Sequence, residues 1–117
     1  MKKGKIPELE WEERFTYRKN VPFGENELRC KGAKFQVVSF APGKRIAPHY
    51  HRKTCEIFFV HSGQGAIVMN NKRFECVSGD FFLCEPSDIH SFENTGDEDF
   101  IILVFKTNEG GDKDIFF

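Results

Sequence analysis

Apolar and polar side chains alternate with a period of two along most of the chain, and eight short runs show this pattern most clearly. Because successive side chains of a strand point to opposite faces, this period is typical of β-strands. No segment shows a helical period instead. The runs cover residues 34–40, 45–51, 55–61, 65–69, 72–77, 80–84, 89–93 and 99–105. Many short strands with even spacing predict an all-β sandwich or barrel.

The segments between these runs carry residues that favour turns. Several of them contain a glycine, at Gly43, Gly63 and Gly79, and glycine adopts a left-handed backbone without steric cost. Asn70 and Asn71 separate two runs by only two residues. Because asparagine tolerates a positive φ angle, this pair predicts a tight hairpin.

The two ends of the chain are less regular. Apolar residues of one parity run from Leu9 to Tyr17, which predicts an N-terminal strand or an extended arm. A turn is expected over residues 22–26, which read Pro-Phe-Gly-Glu-Asn. The tail, residues 114–117, ends in three apolar side chains. The pattern leaves open whether this tail is frayed or docked.

Composition and charge describe a single folded domain and exclude two classes of partner. The chain has 117 residues, of which 39% are hydrophobic and 30% are charged, as in globular rather than disordered proteins. Its net charge of −1 lacks the positive excess of nucleic-acid-binding proteins, so no nucleic-acid partner is expected. The longest apolar run, residues 100–105, is far shorter than the ~20 residues that cross a bilayer, so no membrane partner is expected either.

The N-terminus and the cysteines indicate a cellular compartment. The basic N-terminus has no apolar stretch behind it and does not resemble a secretory signal. The four cysteines, Cys30, Cys55, Cys76 and Cys84, lack the close spacing of a zinc ribbon or a disulfide framework. We therefore expect reduced, mostly buried thiols in a cytoplasmic protein. The 14 phenylalanines suit a β-rich core.

One constellation of residues points to metal chemistry. His49 and His51 would share one face of a strand, since they are two positions apart. Glu56 opens the next apolar run, and a hairpin between the two strands would bring its carboxylate over the imidazoles. Two histidines and a carboxylate on a common face form a site for a first-row transition metal with open positions. His90 is the candidate for a fourth ligand.

The stretch from Gly43 to Gly63 resembles the first sequence motif of the cupin superfamily. That motif is Gly, five residues, His-x-His, three or four residues, Glu, six residues and Gly, and the chain meets it in full. Five specified residues coincide by chance on the order of once in several million starting positions. The residues that meet the motif are Gly43, His49, His51, Glu56 and Gly63.

The second cupin motif is met in part. Its pattern is Gly, five residues, Pro-x-Gly, two residues, His, three residues and Asn. Gly79, His90 and Asn94 stand at the family spacing, whereas Glu85 and Ser87 occupy the positions of the proline and the glycine. The local turn before His90 therefore departs from the family pattern.

The resemblance implies a small antiparallel jelly-roll barrel that covers residues 34–117, behind an N-terminal arm of residues 1–33. Its mouth would hold one divalent metal, and a nitrogen and oxygen ligand set suits Mn, Fe, Co, Ni, Cu or Zn. Cupins are often dimers with N-terminal strands exchanged or paired between subunits, so a homodimer is expected. The implied metal ligands are His49, His51, Glu56 and His90.

Other residues near these ligands have two interpretations. Arg45 shares parity with His49, so it is either a solvated charge or a cation that holds a carboxylate or phosphate of the substrate. Phenylalanines are core residues by default, although some would line the pocket of a small barrel. The candidates for this role are Phe58, Phe82 and Phe92. His61 has odd parity relative to Glu56 and is expected at the surface.

Two classes of function fit these expectations. The first is a metal-dependent enzyme, a dioxygenase, decarboxylase or isomerase that acts on a compact polar metabolite. The second is a non-catalytic module that binds a metal and a sugar-like or acidic ligand, for sensing or as a partner subunit. Both require a small-molecule ligand. The fold does not choose between them, and no catalytic group stands out beyond the four ligands.

Overall fold

The computed structural model describes residues 1–117 and consists almost entirely of β-strands. The strands are β1 (Glu12–Glu13), β2 (Arg18–Phe23), β3 (Lys34–Phe40), β4 (Arg45–Tyr50), β5 (Cys55–Ser62), β6 (Gly65–Met69), β7 (Lys72–Cys76), β8 (Phe81–Cys84), β9 (His90–Asn94), β10 (Phe100–Thr107) and β11 (Ile115–Phe116). A 3₁₀ turn, Ile6–Glu8, and one short helix, α1 (Glu25–Leu28), complete the fold. No helix is long and apolar enough to span a membrane.

The strands form two antiparallel sheets. One sheet has six strands in the order β1-β2-β3-β10-β5-β8, and the other has five in the order β11-β4-β9-β6-β7. The chain crosses repeatedly from one sheet to the other, as in a jelly roll. The all-β prediction is therefore confirmed. Because no strand pairing joins the two sheets, closure into a barrel stays a prediction.

The core lies between the two sheets and is built from alternate residues of their strands. Val38, Phe58 and Ile102 come from the six-stranded sheet, and Ile67 and Phe92 come from the five-stranded sheet. All five side chains belong to one buried apolar cluster. This arrangement is the one that a period of two encodes, since every second side chain points inward.

All eight predicted runs are strands, and their ends differ from the prediction by two residues at most. The hairpin between β6 and β7 is also confirmed, because Asn70 and Asn71 have φ angles of 50° and 69°. The cysteines are all free, as expected. The expectation that most are buried holds only for Cys76 and Cys84, since Cys30 is exposed and Cys55 is half-buried.

The N-terminal region differs from the predicted strand and turn. Between Leu9 and Tyr17 only Glu12–Glu13 forms a strand, and β2 continues to Phe23, through the proline where a turn was expected. Pro22 has no N–H to donate, and it lies where the register between β2 and β3 shifts, between Asn20 and Phe23. Within this chain β2 pairs with β3. Exchange of the arm between two copies stays a prediction.

The C-terminal tail is docked. Ile115 and Phe116 form β11, which pairs with Tyr50 and His49 of β4 at the edge of the five-stranded sheet. The aromatic ring of Phe117 lies 5.7 Å from that of Tyr50. The last residues of the chain therefore lie beside the first histidine of the predicted metal site.

Candidate metal centre

Three histidines come together at one end of the space between the sheets. His49 of β4 is the direct neighbour of His90 on β9, and their ring centroids are 4.3 Å apart. The ring of His51 lies 5.3 Å from that of His90. All three side chains are buried, and each offers a nitrogen within 4.8 Å of the other two. The arrangement gathers the three predicted imidazoles around one point.

Glu56 brings its carboxylate to the histidines from the opposite sheet. The predicted hairpin between the strands of His49 and Glu56 is wrong, because β4 and β5 belong to different sheets and do not pair. The intervening residues cross the space between the sheets. Glu56 Oε1 nevertheless lies 2.6 Å from His51 Nε2 and 3.7 Å from His90 Nε2. The four predicted ligands are therefore close together, although the route of the chain differs from the expected one.

Contacts behind the imidazoles leave the Nε2 atoms available. His49 Nδ1 lies 2.8 Å from the Ala47 carbonyl oxygen, and His90 Nδ1 lies 3.0 Å from that of Asp88. A carbonyl accepts a hydrogen bond, so Nδ1 carries the proton in both rings and Nε2 keeps its lone pair. Metal-binding histidines commonly have such a second partner, which fixes the ring and its tautomer.

Burial keeps two of the imidazoles neutral. It lowers the pKa of His49, and it lowers the pKa of His90 to about 4, with a further contribution from the nearby His49. Burial also disfavours protonation of His51, but the adjacent Glu56 outweighs this effect and raises the pKa of His51. The same contact lowers the pKa of Glu56 against the opposing effect of burial. Neutral imidazoles and an ionised carboxylate are the forms that bind a metal.

One oxygen of Glu56 lacks a hydrogen-bond donor. Oε1 is buried, and its short contact with His51 does not have hydrogen-bond geometry. An unsatisfied charged oxygen in the interior is costly, on the order of several kcal/mol. A cation among Glu56 and the three imidazoles would remove this cost. The donor set of three nitrogens and one oxygen therefore fits a divalent transition metal.

Cys84 lies next to these residues but on another side of His90. Its Sγ is 3.4 Å from His90 Nδ1, the nitrogen that already faces the Asp88 carbonyl. Cys84 could join Glu56 and His90 in a metal-binding group by distance alone. Burial raises the pKa of the Cys84 thiol, so it remains protonated near neutral pH and is the weaker candidate ligand.

A small cavity of about 50 Å³ opens onto the four residues. Its walls come from both sheets and from the C-terminal tail. Its polar walls include Lys106 and Gln36 besides the four residues, and its apolar walls include Phe58 and Phe92. The space holds only a few non-hydrogen atoms beside a metal.

The match to a family model settles which family this fold and site belong to. The model of the cupin domain matches residues 36–106, which include all four candidate ligands. The chain belongs to the cupin family. The resemblance seen in the two motifs is thereby confirmed over more than half of the chain.

Two curated relatives share part of this cupin's sequence. An oxalate-binding protein of Thermotoga maritima is 30% identical over 77 residues, which cover 66% of this chain and 64% of the relative. An uncharacterised protein of Methanocaldococcus jannaschii is 31% identical over 61 residues, or 52% of this chain and 49% of the relative. The matches thus span less than two thirds of either relative.

Solved structures show the same fold at lower identity. A Klebsiella pneumoniae protein with a double-stranded β-helix domain has a TM-score of 0.81 at 20% identity, over 98% of this chain and 96% of that one. A predicted oxalate decarboxylase from Thermotoga maritima has a TM-score of 0.73 at 24% identity, over 78% of this chain and 79% of that one. At these identities the likeness concerns the cupin fold alone.

The departure from the second cupin motif leaves the turn intact. Ser87 has a φ angle of 75°, the left-handed conformation that the family glycine would adopt at this position without strain. Its N–H donates to the His51 carbonyl oxygen at 2.8 Å. Asp88 accepts from the N–H of Glu85 and thereby closes the turn. These bonds hold His90 in place without the proline and glycine of the motif.

Two of the four predicted substrate-binding residues line the cavity and two do not. Phe58 and Phe92 line the cavity. Phe82 does not, because its ring packs against Phe74 at 5.5 Å on the side of β7. Arg45 is exposed at the start of β4, where its backbone lies opposite Glu93 of β9, and it does not line the cavity. His61 is exposed, as expected.

Sequence reasoning did not identify two charged residues of this site. Lys106 lies opposite Glu56 in the ladder between β10 and β5, and its Nζ is 4.0 Å from Glu56 Oε2. It shares parity with the buried Ile102 and Val104, a signal that places it inside. Asp114 precedes β11, and its Oδ1 lies 3.2 Å from His51 Nδ1. No parity signal locates Asp114, because its position depends on docking of the tail.

Proposed function

We propose that this cupin binds one divalent transition metal through His49, His51, Glu56 and His90, and that the metal holds a compact carboxylate ligand. One observation carries the metal site. The contacts at Nδ1 of His49 and His90 leave both Nε2 lone pairs available, beside a buried Glu56 oxygen that has no donor. A bound metal would supply a Lewis acid with up to two exchangeable positions.

The chemistry of the cavity supports a small carboxylate as the ligand. Lys106 supplies a cation on the wall of the cavity, which is one of the two roles that the sequence left open for Arg45. Gln36 is buried on the same wall, and its side-chain amide N–H groups can donate to a carboxylate oxygen. A volume of about 50 Å³ restricts the ligand to a few non-hydrogen atoms. The name of the Thermotoga relative, an oxalate-binding protein, agrees with this class of ligand.

A catalytic role is the second candidate and uses the same site. Lys106 and Tyr17 line the cavity beside the ligands, and both can exchange a proton with a bound molecule. Decarboxylation, dioxygenation and isomerisation of a small acid all require such groups near the metal. Release of carbon dioxide or consumption of dioxygen by the metal-loaded protein in the presence of oxalate or a 2-hydroxy acid would favour the enzyme. Binding without turnover would favour the module.

Titration calorimetry tests the proposed site. Protein stripped with a chelator is titrated with each of Mn²⁺, Fe²⁺, Co²⁺, Ni²⁺, Cu²⁺ and Zn²⁺, and then with oxalate. We expect one metal per chain, loss of tight binding in His51→Ala, and retention in His61→Ala, which removes an exposed imidazole. Equal metal binding by the two variants would contradict the site, and metal binding without oxalate binding would contradict the ligand class.

We also propose that the outer face of the six-stranded sheet packs against a second copy of the chain. Ile57, Phe59, Phe81, Leu83 and Phe105 are neighbours on this face and are 37–74% exposed. Antiparallel sheets that face water are normally polar on that side. At about 150–250 Å² for each aromatic side chain, these five leave on the order of 500 Å² of apolar surface open. A stable dimer buries about 800 Å² of surface on each partner, so this patch supplies most of the area that one chain must bury.

The second copy is favoured over another partner because the face carries no charge that would select one. On the adjoining half of the same face, the N-terminal segment with Ile6 and Leu9 forms an apolar groove together with Phe35 and Leu103. Light scattering on a gel-filtration column tests the interface. We expect a dimer, a monomer for Phe81→Glu, and a dimer for Phe15→Glu, which alters an exposed residue of the N-terminal arm. A monomeric parent chain, or a dimer lost only in Phe15→Glu, would contradict this interface.

A further inference from the structure

The C-terminal segment lies over the mouth of the metal centre. Phe116 of β11 pairs with His49 of β4, and the two rings are 5.0 Å apart. Asp114 places one carboxylate oxygen 3.2 Å from His51 Nδ1 and the other 3.9 Å from His49 Nε2. The segment therefore touches two candidate ligands through one carboxylate and one aromatic ring. We call residues 112–117 the strap.

A single aspartate anchors the strap to the chain between β4 and β5. The Asp112 carboxylate accepts hydrogen bonds from the backbone N–H groups of Lys53 and Thr54 and from the Thr54 hydroxyl, at 2.8–2.9 Å. Lys53 and Thr54 lie between His51 and Glu56, so the anchor holds the strap to the segment that connects these two candidate ligands.

The strap is joined to β10 by a pair of glycines. Gly110 and Gly111 have φ angles of 39° and 81°, and a Cβ atom at either position would meet open space. Before them, Glu109 is fixed by its N–H bond to the Gly32 carbonyl oxygen. A fixed residue followed by two unpacked glycines allows the strap to lift while β10 stays in place.

We infer that the strap carries a positioning residue, Asp114, which holds His51 for metal binding, so that strap docking and metal binding stabilise each other. This inference rests on the proposed metal centre. His51 differs from the other two histidines, because its Nδ1 faces a side chain rather than a backbone carbonyl. Only the docked strap supplies that partner. His51 Nδ1 is buried and makes no hydrogen bond in this structure, so the Asp114 carboxylate at 3.2 Å is the acceptor closest at hand for its proton.

Linkage makes this coupling reciprocal. If the docked strap orients His51 toward the metal, metal binding must favour the docked strap by the same factor. Loss of an outer partner of a metal-bound histidine typically weakens metal binding by about 10- to 100-fold. The Phe116 ring packs against His49, so docking of the strap also covers part of this candidate ligand.

Metal affinity and hydrogen exchange of the complete chain test the inference together. Zn²⁺ affinity is measured by competition with a chromophoric chelator, and amide exchange of residues 112–117 is measured with and without Zn²⁺. We expect Asp114→Asn to weaken Zn²⁺ binding by about 10- to 100-fold. We also expect Asp112→Asn to weaken it to a smaller extent and Asp114→Glu to restore part of the affinity. Zn²⁺ should slow exchange in the parent strap but not in the Asp114→Asn strap.

Lys113→Ala is the matched control, because Lys113 is an exposed residue of the strap. We expect this substitution to leave the Zn²⁺ affinity unchanged. Thermal melting of each metal-free variant shows whether the fold is retained. Equal Zn²⁺ affinity of the parent and Asp114→Asn, or strap exchange that Zn²⁺ does not alter, would overturn this inference alone. Failure of the parent chain to bind any metal would overturn the proposed function as well.

Discussion

Glu56 Oε1 lies 2.6 Å from His51 Nε2, although the two residues belong to opposite sides of the fold. His51 directly follows β4 of the five-stranded sheet, and Glu56 lies in β5 of the six-stranded sheet. The contact thus bridges the two sheets at the end of the core. It brings together a histidine and a carboxylate that remain near each other only while both sheets are packed.

Replacement of Glu56 tests its role as a metal ligand. A ligand that binds only the folded state, at about 1,000 times its dissociation constant, raises the free energy of unfolding by about 4 kcal/mol. In Glu56→Gln we expect this gain on adding Zn²⁺ to fall by about 2 kcal/mol or more, since the charged ligand is lost. Urea denaturation with and without metal measures it. Glu8→Gln, at an exposed position, should keep the full gain.

The stability of the metal-free protein should depend on pH through His90. Burial lowers the pKa of His90 to about 4, whereas an unfolded histidine titrates near ~6.5. The unfolded chain therefore takes up the proton first as pH falls, and stability is lost between about pH 6.5 and pH 4. The loss approaches about 3 kcal/mol, because one pKa unit corresponds to about 1.4 kcal/mol.

The two other buried histidines act on this pH profile in opposite directions. Burial lowers the pKa of His49, so His49 also reduces stability as pH falls. The pKa of His51 is raised, so His51 has the opposite effect on stability. Urea denaturation at several pH values between 4 and 7.5, after chelation, measures the profile. The His90→Gln variant should show a shallower slope. A parent chain with no dependence on pH in this range would contradict the burial of a neutral His90.

Two glycines of the first cupin motif should differ in their tolerance of a side chain. Both have a positive φ angle, 80° at Gly43 and 83° at Gly63. A Cβ at Gly43 would meet open space, so Gly43→Ala should cost only the strain of a left-handed alanine, about 1–2 kcal/mol. A Cβ at Gly63 would overlap the Asp99 carbonyl oxygen. We expect Gly63→Ala to lower the free energy of unfolding by at least about 3 kcal/mol. Similar losses in the two variants would contradict this account.

Lys106 and Arg45 provide a direct comparison of two candidate cations. Lys106 lines the cavity, whereas Arg45 is exposed at the far end of β4. A hydrogen bond to a charged group is worth about 1.5–3 kcal/mol, so Lys106→Gln should weaken oxalate binding to the metal-loaded protein by about 10-fold or more. Arg45→Gln should leave oxalate affinity unchanged. Calorimetric titration with oxalate measures both, and the reverse order would favour the substrate-binding interpretation of Arg45.

The sequence predicts the strands well and selects four candidate ligands that the fold brings close together, because both depend on local spacing. Alternation marks each strand within two residues, and the two cupin motifs identify the four candidate ligands. Parity also indicates which side chains point inward. It does not indicate which strands are neighbours, which is why the expected hairpin between His51 and Glu56 is a crossover between sheets.

The residues that sequence analysis missed depend on contacts between distant parts of the chain. Asp114 reaches His51 only because the two-residue strand β11 pairs with β4, and so short a strand has no periodicity of its own. Phe82 and Arg45 have plausible parity, but neighbouring side chains and the strand end place them outside the cavity. Whether each of these three residues lies at the cavity depends on its position within a sheet, and alternation along the chain does not reveal that position.

A crystal grown with saturating metal, with diffraction data collected at the absorption edge of that metal, tests the central claim most directly. The account predicts one anomalous peak for each chain, within about 2.0–2.3 Å of the Nε2 atoms of the three histidines and of a Glu56 carboxylate oxygen. A peak bound elsewhere, or no peak among His49, His51, Glu56 and His90 at full metal saturation, would contradict it.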